Sequence, residues 1–227
     1  MKRIFLIIIV ILIIYTTTNI SKKNSFKVNS NNNLTKMNVI NETTKTKINI
    51  YIPYTEYPKL NRQIKEITDY YLSEFQKEIT NTSLPIDIYN TIYILYDEYY
   101  YQEYISIILY IETFTGGVHP NHTIKSIIYN KKTNNFITID TLYEQNPNIL
   151  NELSTISREI LKKNPQYNDK QNKETLYNGT SPNKENFSNL AITKLGLKIY
   201  FNYYQIAPYY YGSSEITIPY NQLNLNI

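Results

Sequence analysis

The chain has 227 residues, 42% of them hydrophobic, which allows one sizeable core or two small cores packed together. It contains no cysteine, which excludes disulfides, cysteine-ligated metals and a lipid-modified N-terminal cysteine. The net charge of +4 is low for this length, and Lys2 and Arg3 contribute to it, so no nucleic-acid-binding surface is indicated. The 25 tyrosines are also what an A/T-rich genome produces, so their abundance alone indicates no function.

The N-terminus predicts export. Lys2 and Arg3 precede an unbroken apolar run at residues 4–15, the pattern of a signal peptide. No small-x-small cleavage site follows, so residues 1–20 are either a signal peptide or a short membrane anchor, and the chain is expected to be secreted or anchored through residues 4–20. Residues 21–46 are rich in Ser, Asn, Lys and Thr and are predicted to be a flexible polar tether.

Residues 47–135 are predicted to form the N-terminal half of the folded unit. A strand begins at Lys47, and a helix is predicted over residues 61–80 from apolar residues at spacings of three and four. Two alternating strands follow, at residues 86–94 and 104–112, and both have aliphatic core faces. Their other faces carry four tyrosines, which would form either an exposed surface or a covered one: Tyr89, Tyr93, Tyr104 and Tyr110.

The connection at residues 97–103 is expected to place Tyr99, Tyr100 and Tyr101 near a hairpin tip. A third strand is predicted at residues 124–129, and a polar turn at residues 131–135 ends this half.

Residues 136–227 are predicted to form the C-terminal half. It would contain a strand at residues 136–140, a helix at residues 148–163 and a polar loop through Asn186. Strands near residues 197–202 and 215–218 would close it. Antiparallel strands beside segregated helices predict an α+β fold, in which we expect the two main helices to pack on one side of the sheet or sheets and the two halves to be coupled.

Two segments carry a resemblance to a known family. The turn TGGVHPN, at residues 115–121, resembles a Thr-Gly-Gly-Ala-His-Gly-Asn turn of extracytoplasmic bacterial domains, and the segment IYFNYYQIAPYYYGSSEITIPYNQL, at residues 199–223, resembles their closing segment. This family is the domain of unknown function shared by the lysozyme-sensing anti-sigma factor RsiV and the non-catalytic region of the peptidoglycan deacetylase PdaC. The resemblance covers roughly residues 48–223, with a PdaC-type half followed by an RsiV-type half.

The sequence departs from the family pattern at Val118, Pro120, Tyr210 and Tyr211, where small residues are usual. Only Met1, Lys2 and Arg3 precede the apolar run, so direct anti-sigma activity is not expected. A separate deacetylase domain is not expected either.

The residues offer little for catalysis. His119 and His122 are the only histidines, and an H-x-x-H pair with no attached Glu is a weak zinc signal, so no metal or other cofactor is predicted. Nothing marks a serine nucleophile, and a carboxylate pair could come only from ordinary surface acids such as Asp97, Glu98, Glu103 or Glu112. No phosphate-binding glycine loop occurs.

The resemblance therefore implies a non-catalytic binding module for a peptidoglycan fragment or a lysozyme-like muramidase. Aromatic side chains at loop tips suit such recognition, because they offer rigid faces with a hydroxyl group. The alternative is a cell-wall glycan hydrolase or deacetylase that uses His119 or a carboxylate pair. No nucleic-acid partner is expected, and the membrane is contacted only through the N-terminal segment. The candidate ligand-binding residues are Thr115, Gly116, Gly117, His119, Asn121, Tyr209, Tyr210, Tyr211, Gly212, Tyr99, Tyr100 and Tyr101.

Overall fold

A computed structural model describes residues 35–43, 45–80, 84–85, 88–167, 172–225 and 227. The predicted signal peptide or anchor and the first part of the tether lie outside these residues. Within the described part of the chain, no helix is both long and apolar enough to span a bilayer.

The larger sheet has six strands in chain order. They are β1 (Thr35–Glu42), β2 (Thr46–Tyr54), β3 (Asn90–Tyr101), β4 (Tyr104–Phe114), β5 (Asn121–Asn130) and β6 (Asn135–Ile137). All neighbours are antiparallel except β2 and β3. Parallel neighbours require a crossover, which the helix α1 (Pro58–Thr80) supplies.

The helix α1 covers one face of this sheet. It begins with Pro58, whose missing N–H costs nothing at the first helical position. Leu60, Ile64 and Phe75 lie on its apolar stripe and are buried against aliphatic residues of β2, β3 and β4. The helix predicted at residues 61–80 is confirmed, and so are the aliphatic core faces of both strands from Ile92 onward.

The smaller sheet contains β7 (Leu190–Thr193), β8 (Gly196–Phe201) and β9 (Ser214–Ile218), all antiparallel. One of its faces packs with α2 (Ile139–Gln145), α3 (Ile149–Leu161) and α4 (Lys173–Gly179), and α3 contributes Ile149, Leu153 and Leu161 to this second core. The other face turns Ala191 and Tyr200 toward Ile108 and Ile124 of the larger sheet. The layers are therefore helix, sheet, sheet and helices.

The α+β fold class is confirmed, but the packing of both main helices on one side is not. α1 belongs to the core of the six-stranded sheet, whereas α3 belongs to the core of the three-stranded sheet. The boundary predicted between residues 135 and 136 falls inside β6, which pairs with β5.

Several elements begin or end at residues other than those predicted. Residues 35–42 of the predicted tether form β1, because their backbone pairs along the whole of β2. The strand predicted from residue 86 begins at Asn90, and Ile88 is exposed. β3 continues through Tyr101, so only Gln102 and Glu103 form the hairpin turn. The positive φ of Gln102, 50°, provides the reversal.

The strand predicted at residues 136–140 ends at Ile137, because Thr138 caps α2. Its side chain accepts a hydrogen bond from the backbone N–H of Thr141, and the Thr141 hydroxyl oxygen in turn accepts one from the backbone N–H of Thr138. The predicted polar loop contains α4, and the four-residue β7 was not predicted at all.

Candidate functional site

The two motifs that carry the family resemblance meet in space. The turn between β4 and β5 lies against the segment that follows β8, although more than 80 residues separate them along the chain. The His119 ring stacks on the Tyr209 ring with centroids 3.7 Å apart, and the His122 ring stacks on Tyr203 at 4.2 Å. We call the five residues His119, His122, Tyr203, Tyr204 and Tyr209 the aromatic cluster.

The backbone on both sides of the cluster takes conformations that few residues adopt. Gly116 and Gly117 have φ of 116° and 103°, where a side chain would be strained, so the turn needs its glycines. Tyr204 has a φ of 63°, the left-handed region that non-glycine residues rarely occupy. A strained backbone persists only where surrounding contacts hold it, and hydrogen bonds between Asn202 and Gln205 close the turn that contains Tyr204.

His119 has a protein partner at each ring nitrogen. Its Nδ1 lies 2.9 Å from the backbone oxygen of Pro120, and its Nε2 lies 3.0 Å from the hydroxyl of Tyr204. A carbonyl oxygen only accepts hydrogen bonds, so Nδ1 must donate, and in the neutral ring Nε2 then accepts from Tyr204. This imidazole therefore positions Tyr204.

His122 links an acidic residue to a phenol. Its Nδ1 lies 3.5 Å from a carboxylate oxygen of Glu112, and its Nε2 lies 3.0 Å from the hydroxyl of Tyr209. That hydroxyl donates its single proton to the backbone oxygen of Pro120 at 3.2 Å. Desolvation raises the pKa of Tyr209, and repulsion from Tyr203, Glu112 and Tyr204 adds to this. The phenol therefore stays protonated near neutral pH and acts as a hydrogen-bond donor.

The remaining predicted residues of the two motifs surround the cluster or lie at its edge. The hydroxyl of Thr115 donates to Glu78 of α1 at 3.1 Å, and Asn121 is the exposed first residue of β5. Gly212 faces the Tyr203 ring. Tyr210 is 75% exposed, whereas Tyr211 turns away toward Tyr167 in the second core.

Tyr99, Tyr100 and Tyr101 do not join the aromatic cluster. Tyr99 lies between the sheets, where it accepts a hydrogen bond from the Tyr200 hydroxyl at 2.9 Å. Tyr101 stacks on Tyr220. Tyr100 points to the opposite sheet face, since residues of a strand alternate. The three residues do lie near the tip of the β3–β4 hairpin, at the end of β3.

Sequence reasoning missed Tyr203, Tyr204 and Asn202 as site residues. The Asn202 side-chain oxygen accepts a hydrogen bond from the backbone N–H of Ile124 at 2.7 Å and so ties the loop after β8 to β5. The available signal was the run Asn202-Tyr203-Tyr204 directly after a strand, within the resembling segment. Among the residues that the structure describes, no group of three His, Cys, Asp or Glu could hold a metal ion.

Comparison with known proteins finds a family match in the C-terminal half of the chain. Residues 140–221 match the model of the family described as "Protein of unknown function (DUF3298)". Over 168 residues the chain is 29% identical to the peptidoglycan-N-acetylmuramic acid deacetylase PdaC of Bacillus subtilis (strain 168). The match covers 73% of this chain and 36% of the deacetylase, so the chain spans only about a third of that protein's length. The predicted resemblance is confirmed.

Two crystal structures share the fold. A DUF3298 family protein from Pseudomonas aeruginosa PAO1 superimposes with a TM-score of 0.59 at 15% identity, over 84% of this chain and 92% of that one. A DUF3298 family member from Bacteroides fragilis NCTC 9343 superimposes with a TM-score of 0.52 at 18% identity, over 88% and 93% of the two chains. At these identities the similarity extends to the fold alone.

Proposed function

We propose that this chain is an extracytoplasmic, non-catalytic module that binds a cell-wall-related ligand, either a peptidoglycan fragment or a lysozyme-like muramidase. The observation that carries the proposal is the aromatic cluster, built from the two motifs of the family resemblance. The relationship to a peptidoglycan deacetylase over 73% of this chain supports a ligand of the cell wall. The charged and apolar N-terminal residues support export.

The chemistry of the cluster favours binding. His119 has a partner at each ring nitrogen, and the hydroxyl of Tyr209 donates to the backbone oxygen of Pro120. Hydrogen bonds that fix aromatic rings lower the entropy lost on binding, because the rings are ordered before the ligand arrives. Tyr204, 57% exposed, is the member of the cluster most available to a ligand.

Binding can be tested with Tyr204→Ala. The full chain is incubated with insoluble peptidoglycan and, separately, with immobilised lysozyme, and the retained fraction is measured. Retention on at least one of them is expected, with about tenfold weaker binding for Tyr204→Ala, since truncating an aromatic anchor costs that order of affinity. Tyr70→Ala is a matched control, because Tyr70 on α1 is 58% exposed and lies across the sheet from the cluster. Failure of the chain to bind either material contradicts the proposal.

One observation favours the alternative, a glycan hydrolase or deacetylase. Glu112, His122 and Tyr209 form a carboxylate–imidazole–hydroxyl series, an arrangement that enzymes use to move protons. Incubation of the full chain with peptidoglycan, assayed for reducing ends and for released acetate, tests this alternative. We expect no turnover. Turnover that is lost in His119→Ala or in Glu112→Gln would replace the binding proposal with the enzymatic one.

A further inference from the structure

An open sheet surface continues directly from the aromatic cluster. Asn49, Tyr93, Glu112 and His122 are register partners across β2, β3, β4 and β5, so their side chains form one row on one face. The next row along the strands contains Leu95 and Tyr110 and ends at Ile124, which is buried beneath the smaller sheet. His122 belongs to both the first row and the aromatic cluster, which makes the two surfaces continuous.

The smaller sheet covers only part of this face. Ser106 and Ile108 of β4 are fully buried beneath β7 and β8, but two residues further along β4 Tyr110 is only half-buried. Leu95, its partner on β3, is 52% exposed, at the point where β3 no longer pairs with β2. The cover therefore thins at Tyr110, which still contacts Tyr200, and leaves the β3 side of this row open at Leu95.

Where the cover ends, the surface is concave. A depression with a volume of about 630 Å³, beyond the point where β2 stops pairing with β3, is lined by Tyr51, Leu95, Asp97 and Tyr110 from this face and by Tyr96 and Glu98, which alternate to the opposite face. This volume is within the range of ligand-binding clefts, roughly 300–1,000 Å³. We call the depression, together with Tyr93 and Glu112 beside it, the tyrosine trough.

The polar groups of the trough are mainly acceptors. Asp97 accepts a hydrogen bond from the Tyr110 hydroxyl at 2.8 Å, which leaves the other lone pairs of the carboxylate available. The Glu112 side chain is 38% exposed. On the neighbouring wall, Glu215 pairs with Lys198 at 2.7 Å, so this cation is already neutralised. The trough is therefore acidic and would repel an anionic chain.

From this placement we infer that the tyrosine trough binds an uncharged sugar chain, which would lie across β3 and β4 and end at the aromatic cluster. This inference rests on the proposed binding function and names its ligand class. Aromatic rings stack on the apolar C–H faces of sugar rings, while carboxylates accept hydrogen bonds from sugar hydroxyls and amides. Alternate residues of β3 lie about 7 Å apart, so Tyr93 and Leu95 can contact neighbouring rings of one chain.

The test uses the full chain and a soluble probe, the hexamer of β-1,4-linked N-acetylglucosamine, titrated by calorimetry. Saturable binding is expected, with about tenfold weaker affinity in Tyr93→Ala and in Leu95→Ala. Tyr54→Ala is a matched control, because Tyr54 is 49% exposed on the opposite face of the same sheet and should leave the affinity unchanged. A hexamer of polygalacturonate, which carries carboxylates, should not bind.

Three results would overturn the inference. One is hexamer binding that Tyr93→Ala and Leu95→Ala leave unchanged. Another is tighter binding of polygalacturonate than of the N-acetylglucosamine hexamer. The third is binding of a cationic protein alone. In that case the unaltered chain is retained on lysozyme, both trough variants are not retained, and the hexamer does not bind. In that third case the proposed binding function survives while the sugar assignment fails. If the unaltered chain binds neither peptidoglycan nor lysozyme, the proposed binding function itself is contradicted.

Discussion

The two ends of β4 show how one strand face can serve two purposes. At the end that follows the hairpin, Tyr104, Ser106 and Ile108 are buried beneath the smaller sheet. At the other end, Tyr110 and Glu112 of the same face remain accessible beside the aromatic cluster. The difference depends on the reach of the smaller sheet, since the alternation of side chains is unbroken along the strand.

This comparison explains why tyrosines that line the space between the two sheets have different environments. Tyr200 is buried between the sheets and donates a hydrogen bond to Tyr99, while Tyr93 and Tyr110 stay half-exposed. Burial of a phenol is tolerated where its hydroxyl finds a partner. Exposed phenols beside carboxylates contribute little to folding stability and are available for contacts with a ligand.

The largest expected difference between the two ends is the cost of truncating an aliphatic side chain. Ile108→Ala should lower the free energy of unfolding by about 2–5 kcal/mol, because it leaves a cavity between the sheets. Leu95→Ala should change it by no more than about 0.5 kcal/mol, because that side chain is already half in water. Urea denaturation of both variants measures these values. Equal costs at the two positions would contradict the distinction between a covered and an open end.

A smaller loss of stability is expected when the hydrogen bonds that join the two sheets are removed. The Ser106 hydroxyl accepts from the backbone N–H of Ile192 at 2.9 Å and lies 3.2 Å from its carbonyl oxygen, to which it donates. Ser106→Ala leaves these buried groups without that partner and should cost about 1–3 kcal/mol in urea denaturation. Ser213→Ala, at an exposed position, serves as the control. A neutral effect of Ser106→Ala would show that water or a small shift replaces the bond.

The smallest effect on stability is expected from the titration of Glu152, which contacts the C-terminal segment at Asn224. Although desolvation raises the pKa of Glu152, hydrogen bonds from Asn146, Asn224 and Asn148 outweigh it and lower the pKa from its ordinary value of 4.5. A lowered pKa stabilises the fold above the ordinary value, and this contribution is lost as the pH falls through the lowered value.

Stability should therefore fall as the pH drops below about 4.5, by at most about 0.5 kcal/mol from this group, since it is partly exposed to solvent. Comparison of urea midpoints at pH 7 and pH 3 for the unaltered chain and for Glu152→Gln isolates this part. An identical pH dependence in both proteins would exclude it.

The elements predicted best from the sequence are those in which the spacing of apolar residues also determines which face is buried. The stripe of α1 and the aliphatic alternation of β4 each have a single period, so their buried faces could be assigned from the residues alone. The helix α4 was missed because Leu176 is its only large apolar residue in the core, too few to give a period. The strand β7 was missed because four residues buried on both faces show no alternation.

The candidate site was predictable only in part. The resemblance of the two motifs identified His119 and Tyr209, but no local pattern indicates that a turn and a loop more than 80 residues apart stack ring on ring. The exposure of Tyr93 and Leu95 could not be inferred, because it depends on where the second sheet stops. For the same reason, Tyr99 and Tyr101 resembled surface residues although each contacts another tyrosine in the fold.

The bond from the Ile124 backbone to the Asn202 side chain has a further consequence for self-association. Beyond its short pairing with β6, which involves residues 128–130, β5 has no strand on its outer side among the described residues. Exposed strand edges of this kind can recruit a second chain and start aggregation. By occupying a backbone donor near the middle of β5, Asn202 interrupts this template.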